Sequence, residues 1–157
     1  MSNIPLQVEL SEIVKRVGST QQNIIYCNSK QKVVDYAVQY ANNLPVKEDE
    51  KLVALAKDIR NEVHNDCYLA DMILKGVAYH VGYLPSNIRL RIEKSFVDGD
   101  LRTIFCTSTL VEGLNLPADN LLITSYKNGN SNMDEVQFRN LVGRVGRIKY
   151  NLSLVLH

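Results

Sequence analysis

Short apolar runs alternate with helical patterns along this chain, and this alternation constrains its fold more than any other feature. The runs have the length and composition of strands buried on both faces; they are Asn23–Cys27, Val77–His80, Leu101–Cys106 and Leu121–Thr124. Strands that alternate with helices predict βαβ units and a mainly parallel sheet with helices on both faces. We therefore expect an α/β fold of three layers.

Apolar residues three and four positions apart predict the helices between these strands. The expected buried positions are Val33, Val34, Ala37, Val38 and Ala41; Leu52, Leu55, Ala56, Ile59 and Val63; Leu69, Met72 and Ile73; and Ile88, Ile92 and Phe96. Pro85 is expected to open the last of these helices and Gly99 to end it. A short helix ending at Gly18 is expected before the first strand, and Ser153–Leu156 is expected to be a final strand.

The chain has 157 residues, 45% of them hydrophobic, which is enough for one domain with its own core. We expect residues 1–22 to be a linker with the leading helix, and residues 23–157 to form the domain. The formal charge of +1 neither favours nor excludes nucleic acid, because a local basic patch can bind phosphates while the total stays near zero.

Cysteine usage and hydropathy indicate a reducing, cytoplasmic location. Three cysteines without a C-x-x-C pair argue against a disulfide framework, and we expect Cys27 and Cys106 to be buried and reduced. No stretch approaches the ~20 apolar residues of a membrane span. We expect no membrane contact.

Polar segments directly follow three of the predicted strands; they are Asn28-Ser29, His80-Val81-Gly82 and Thr107-Ser108. The carboxyl ends of parallel strands meet at one edge of a sheet, where ligands bind in folds of this class. We therefore expect these segments to lie side by side. Helix capping is an equally good interpretation of Asn28 and Ser29.

The segment Gln137–Arg147, Q-F-R-N-L-V-G-R-V-G-R, has an apolar stripe at helical spacing. On that helix Arg144 and Arg147 share the opposite stripe, and a pair of guanidiniums suits a phosphate group. Gly143 and Gly146 would each cost about 1 kcal/mol inside a helix, which suggests a close approach to the backbone there. The alternative is a solvated arginine face on a frayed helix end.

These segments together resemble the second RecA-like domain of superfamily two DEAD/DEAH-type helicases, most closely the superkiller-type branch. Gln137–Arg147 is similar to motif VI, with Asn140 departing from the usual Gln or His. Thr107–Pro117, T-S-T-L-V-E-G-L-N-L-P, is similar to motif V, and His80–Phe96 is similar to an H-x-G-L-P-x-x-x-R-x-x-I-E-x-x-F run, with Tyr83 inserted before Leu84. Asn23–Lys30 resembles motif IV.

The resemblance implies a role for each matched residue. Arg144 and Arg147 would be arginine fingers toward the γ-phosphate of ATP. The other nucleotide contacts would be Gly113, Asn115, Asn140 and Gly143. The contacts to a nucleic-acid backbone would be Asn28, Ser29, Gly82, Thr107 and Ser108. Taken alone, Thr107 and Ser108 fit helix capping better than binding.

Several residues keep two interpretations. We expect His80 to be a structural histidine rather than a general base, because no nucleophile or carboxylate is placed beside it. Arg89 and Arg91 either bind a nucleic-acid strand or pair with Glu93. His64 and Cys67 have an H-x-x-C spacing without a second ligand pair, so we expect no metal site.

The chain lacks a G-x-x-x-x-G-K-[ST] phosphate loop. Asp134–Gln137, D-E-V-Q, follows a polar turn rather than a buried strand, so it is better interpreted as a helix cap than as a magnesium box. We therefore expect ATP with Mg²⁺ to be held mainly by a partner N-terminal RecA-like domain, and this chain alone to be inactive.

The function implied is that of the second motor domain of an ATP-dependent helicase, moving on single-stranded DNA or RNA. One alternative is a nucleic-acid-binding or adaptor module that has lost catalysis, and another is a translocase that does not unwind duplex.

Overall fold

The computed structural model describes residues 21–63, 67–107 and 116–124, and short pieces at 127–128, 131–132, 136, 139–140, 143 and 145–146. Its helices are α1 (Lys30–Ala41), α2 (Glu50–Glu62), α3 (Cys67–Ile73) and α4 (Ser86–Val97). Its strands are β1 (Asn23–Tyr26), β2 (Val77–His80), β3 (Thr103–Cys106), β4 (Leu116–Pro117), β5 (Asn120–Ile123), β6 (Lys127–Asn128), β7 (Ser131–Asn132) and β8 (Val145–Gly146). The expected leading helix and the expected strand at Ser153–Leu156 lie outside the described residues.

Four strands form a parallel sheet in the order β2-β3-β1-β5. Every residue of these strands is buried, as the four apolar runs predicted. The α/β fold with a mainly parallel sheet is therefore confirmed. A separate antiparallel pair is formed by β6 and β7.

The helices cover both faces of this sheet because the chain crosses it in opposite directions. From β1 the chain passes β3 to reach β2 through α1, α2 and α3, and it returns to β3 through α4. Right-handed crossovers place these two connections on opposite faces. The predicted apolar stripes are buried, except that Val34, Val38 and Val63 are only half-buried. No helix within the described residues is long and apolar enough to cross a membrane.

Glycines end two of these helices in the left-handed conformation. Gly76 has φ +80° after α3, and Gly99 has φ +87° after α4. Both positions favour glycine because a Cβ is disfavoured at such angles. Pro85 lies one residue before α4 rather than opening it, and its carbonyl accepts a hydrogen bond from Arg89 N.

The two buried cysteines are free thiols, as expected. Burial raises the pKa of Cys27 to about 12 and that of Cys106 well above its usual value. A thiol that stays protonated is a poor nucleophile, so both behave as core residues.

The prediction of one helix through Gln137–Arg147 is wrong at its end. Val136, Arg139, Asn140 and Gly143 are helical, but Val145 and Gly146 form β8, which pairs in parallel with β4. A β-branched residue followed by glycine is a poor helix former, and strand pairing removes the helical cost of Gly146. The helical spacing that placed Arg144 and Arg147 on one stripe therefore does not continue through this segment.

Candidate nucleic-acid interface

The four strands of the main sheet end level with one another. Their last residues are paired in register; the pairs are Tyr26 with Cys106, Tyr26 with Ile123, and His80 with Cys106. Asn28, Gly82 and Thr107 follow these ends and therefore lie along one edge, as predicted. Neighbouring strands are about 4.8 Å apart, so the three loops cover roughly 10 Å. We call this the carboxyl edge.

The loop after β1 caps a helix and also contains polar atoms that have further hydrogen-bonding capacity. Ser29 is the N-cap of α1, and its Oγ accepts a hydrogen bond from Lys32 N at 3.3 Å. Capping uses a lone pair of this hydroxyl and leaves its hydrogen for another acceptor. Asn28 Oδ1 is buried and has no hydrogen-bond partner within the described part of the chain. The capping interpretation of Ser29 is confirmed, and it does not exclude binding.

Two positively charged side chains lie at the start of α1. Lys30 and Lys32 are exposed in its first turn, which contains no acidic residue. A helix N-terminus carries a partial positive charge of its own, so lysines there are unfavourable unless an anion lies nearby. Backbone N–H groups at such an end also suit phosphate. This signal was readable in the sequence as two lysines within three residues of a serine cap.

The loop after β2 is a tight turn with buried ends. Leu84 N donates a hydrogen bond to Val81 O at 3.2 Å, and both residues are buried. Between them Gly82 is exposed and the Tyr83 side chain is 51% exposed. The turn therefore presents Gly82 and Tyr83 together at the carboxyl edge.

A buried histidine–carboxyl pair lies beneath this turn. His80 is 2% exposed and Glu93 is 6% exposed, and Nε2 of the histidine lies 3.4 Å from Oε1 of the glutamate. The expectation that no carboxylate lies beside His80 is therefore wrong, because α4 brings one from 13 positions along the chain. The buried environment nevertheless agrees with a structural histidine.

The charge states of this pair follow from burial. Burial lowers the pKa of His80 to about 4, and the positive charge of Arg89 adds to that effect. Burial also raises the pKa of Glu93, although Arg89 opposes this. At neutral pH the imidazole is uncharged, so the contact is a polar pair and not an ion pair.

The two arginines of α4 have different surroundings. Arg91 donates a hydrogen bond from Nη1 to the Asp58 carboxylate on α2, and so it does not pair with Glu93. Arg89 forms no ion pair within the described residues, and its Nε is buried without a hydrogen-bond partner there. Arg89 lies in the first turn and a half of α4, near the carboxyl edge, and adds a third cation to it.

The pairing of β4 with β8 brings together the two segments that the resemblance assigned to the nucleotide. Leu116 lies opposite Val145 and Pro117 opposite Gly146. Asn115 and Arg144 are the preceding residues of these strands, but both lie outside the described residues, as do Ser108, Gly113 and Arg147. The structure therefore joins the segments without describing those side chains.

Asn140 and Gly143 are the described members of the expected nucleotide set, and both are exposed. A Cβ added to Gly143 would meet no atom of the described residues within 4 Å. Packing among the described residues therefore does not account for glycine at this position. Thr107, in the other segment, follows β3 directly and is half-buried.

The described residues contain no cluster of three or more His, Cys, Asp or Glu side chains that could hold a metal ion. His64 and most of Asp134–Gln137 lie outside the described residues.

Comparison with known proteins agrees with this arrangement. The family model of the helicase conserved C-terminal domain matches residues 7–149. A Caenorhabditis elegans protein named helicase POLQ-like is 30% identical over 150 residues, which cover 90% of this chain and 16% of that protein. The ATP-dependent DNA helicase Hel308 of Methanocella arvoryzae is 31% identical over 137 residues, covering 80% of this chain and 18% of that protein.

A plant relative is also a DNA helicase homolog that this chain matches over part of its length. The ATP-dependent DNA helicase homolog MER3 of Arabidopsis thaliana is 28% identical over 156 residues, covering 90% of this chain and 14% of that protein. The chain thus spans less than a fifth of the length of these curated relatives.

Proposed function

The chain belongs to the helicase conserved C-terminal domain family, in the superkiller-type branch of superfamily two, and we propose that it is the second RecA-like motor domain of an ATP-dependent DNA helicase. Residues 23–157 form this domain, and residues 1–22 are its linker and leading helix, of which Gln22 is hydrogen-bonded to the domain. The observation that carries the proposal is the level carboxyl edge, where three polar loops lie beside the cations of α1 and α4.

The carboxyl edge binds the phosphates of one DNA strand. Asn28, Ser29, Gly82, Thr107 and Ser108 are the contacts, and Lys30, Lys32 and Arg89 supply the charge. DNA is the substrate because the Methanocella and Arabidopsis relatives carry DNA helicase in their names. Contacts to the backbone carry no sequence information, so binding is independent of sequence.

ATP with Mg²⁺ lies between this domain and an N-terminal RecA-like domain, which carries the phosphate loop and the magnesium carboxylates. When bound, ATP would supply the γ-phosphoryl group, which is transferred to water with ADP as the leaving group. Gly113, Asn115, Asn140 and Gly143 line this side, and the absence of described atoms within 4 Å of a Cβ at Gly143 supports a glycine that is kept for a ligand or a partner domain. Arg144 and Arg147 stabilise charge on the transferred group, an effect worth about 10³–10⁵ in rate for arginine fingers.

The binding face is tested with a charge-reversal pair. Single-stranded DNA binding is measured by fluorescence anisotropy over a range of salt for Lys30→Glu/Lys32→Glu. We expect weaker binding at every salt concentration and a salt slope smaller by about 0.7 for each phosphate that is no longer neutralised. The matched control, Lys51→Glu/Lys94→Glu, changes the charge equally at exposed positions on α2 and α4 away from this edge. Equal losses in both double variants would contradict a specific binding edge.

A module that has lost catalysis is the second candidate, and Asn140 in the place of Gln or His favours it. If the chain is part of a motor, we expect the full-length protein to hydrolyse ATP on DNA and the 157-residue chain alone to be inactive. In the full-length protein, we expect Arg144→Ala and Arg147→Ala to lower kcat more than they change ATP affinity. A full-length protein that binds DNA without any turnover would favour the module. Turnover by the chain alone, abolished in Arg147→Ala, would contradict the partner domain.

A further inference from the structure

Tyr83 is an aromatic side chain presented at the carboxyl edge, where the resemblance has no counterpart for it. It lies between two buried residues, Val81 and Leu84, and yet 51% of it is exposed. We propose that Tyr83 stacks on a base of the bound DNA strand, so that the carboxyl edge contacts one nucleobase as well as phosphates. This inference rests on the proposed function, because it needs a strand along the same edge.

The turn holds Tyr83 in place before any ligand arrives. The hydrogen bond from Leu84 N to Val81 O closes the turn, and Leu84 anchors it in the core. Pro85 then fixes the backbone ahead of α4, with φ −54°. An aromatic ring with only two rotatable bonds on such a turn loses little entropy when it binds a flat partner.

The surroundings of Tyr83 suit a nucleobase better than a protein partner. Gly82 beside it and Ser86 and Asn87 at the start of α4 are exposed. Asn87 donates a hydrogen bond to the Glu62 carboxylate, and the exposed large hydrophobic residue on this part of α4 is Leu90, one turn further along. Protein interfaces use contiguous apolar patches, whereas a single exposed ring beside phosphate-binding groups is the arrangement that binds single strands. Stacking tolerates every base, so it preserves binding without sequence preference.

The absence of tryptophan from the sequence allows a direct test. Tyr83→Trp places a single tryptophan at the turn, and Val97→Trp places one at a similarly exposed position, at the opposite end of α4. Each 157-residue variant is titrated with oligothymidylate. We expect strong quenching in Tyr83→Trp, because an indole stacked on a base loses fluorescence, and little change in Val97→Trp.

Affinity measurements separate stacking from charge. Tyr83→Ala should bind oligothymidylate roughly 5- to 150-fold more weakly, which corresponds to ~1–3 kcal/mol for one stacked base. Its salt slope should match the wild type, and Tyr83→Phe should bind normally. On an abasic oligonucleotide, wild type and Tyr83→Ala should bind equally.

The outcomes of these experiments distinguish a failure of the stacking proposal from a failure of the proposed function. A wild-type chain that binds, together with an unquenched Tyr83→Trp and a Tyr83→Ala of unchanged affinity, would overturn the stacking and leave the proposed function intact. A weaker affinity of Tyr83→Ala on the abasic oligonucleotide as well would also overturn it, since no base is present there. A wild-type chain without any strand binding at low salt would overturn both.

Discussion

The two edges of the main sheet use the same residue types for different purposes. At the amino edge, Gln22 Nε2 donates to two backbone carbonyls, those of Phe96 and Leu101, and Asn120 Nδ2 donates to Asn23 Oδ1 at 2.9 Å. At the carboxyl edge, Asn28 Oδ1 has no partner within the described residues, and Gly82 is exposed. Amides at one edge close the fold, while the amide oxygen at the other edge is buried without a partner among the described residues.

One oxygen of the amino edge departs from this contrast. Asn120 Oδ1 also has no hydrogen-bond partner among the described residues. Both oxygens are buried, but Asn120 is fully buried as a residue, whereas Asn28 is half-buried in a loop. The exposure of the whole residue, more than an unmade hydrogen bond, distinguishes the binding edge from the structural edge.

His80 gives the largest expected effect, because it is a buried titratable group at the binding edge. An unfolded histidine has a pKa near 6.5, and burial lowers the folded value to about 4. Between these values the unfolded chain binds a proton that the folded chain does not. The free energy of unfolding should therefore fall as pH falls through this window, by at most roughly 3 kcal/mol.

Glu93 opposes this effect. Its folded pKa is raised, so the folded chain binds a proton first and gains stability as pH falls toward the unfolded value of 4.5. Urea unfolding at several pH values between 7.5 and 4.5 measures the balance. His80→Asn should lose less stability than wild type over this range, and Glu93→Gln should lose more. Parallel curves for all three proteins would show that the pair does not titrate as its burial requires.

Gln22 and Asn28 form the second comparison, one amide from each edge. Gln22→Ala removes a donor from two buried carbonyls and should lower the free energy of unfolding by about 2 kcal/mol. Asn28→Ala breaks no hydrogen bond of its side-chain oxygen and should change stability by less than about 0.5 kcal/mol. Urea unfolding measures both.

Strand binding by the same two variants should show the reverse order. We expect Asn28→Ala to weaken single-stranded DNA binding and Gln22→Ala to leave it unchanged where the protein is folded. A loss of DNA affinity in folded Gln22→Ala would mean that the amino edge also controls binding. The assignment of structure to one edge and binding to the other would then be wrong.

The sequence predicted the carboxyl edge well because local patterns determine it. An apolar run followed by Asn-Ser or by Thr marks a strand end, and parallel pairing then places such ends together. The same reasoning could not find the contact of Asn23 with Asn120 or of His80 with Glu93, because these pairs form only when distant elements pack. Periodicity also extended the helix of Gln137–Arg147 too far, since a pairing with Leu116–Pro117 outweighed it.

Arg89 and Arg91 give the smallest expected effects and the finest contrast, since they lie two positions apart on α4. Arg91 pairs with Asp58, and both side chains are about two-fifths exposed, at 40% and 44%. An ion pair of this kind contributes about 0.2–1 kcal/mol, so Arg91→Gln should cost a little stability and leave strand binding unchanged. Arg89→Gln should leave stability nearly unchanged.

The decisive difference between these two variants is in salt dependence. If Arg89 neutralises one phosphate of a single strand, Arg89→Gln should lower the slope of log affinity against log salt by about 0.7, with a several-fold loss of affinity at low salt. Arg91→Gln should keep the full slope, because its charge is already compensated by Asp58. Equal salt slopes in both variants would mean that the bound DNA strand does not pass the first turns of α4. The binding edge would then end at the loops after β1 and β3.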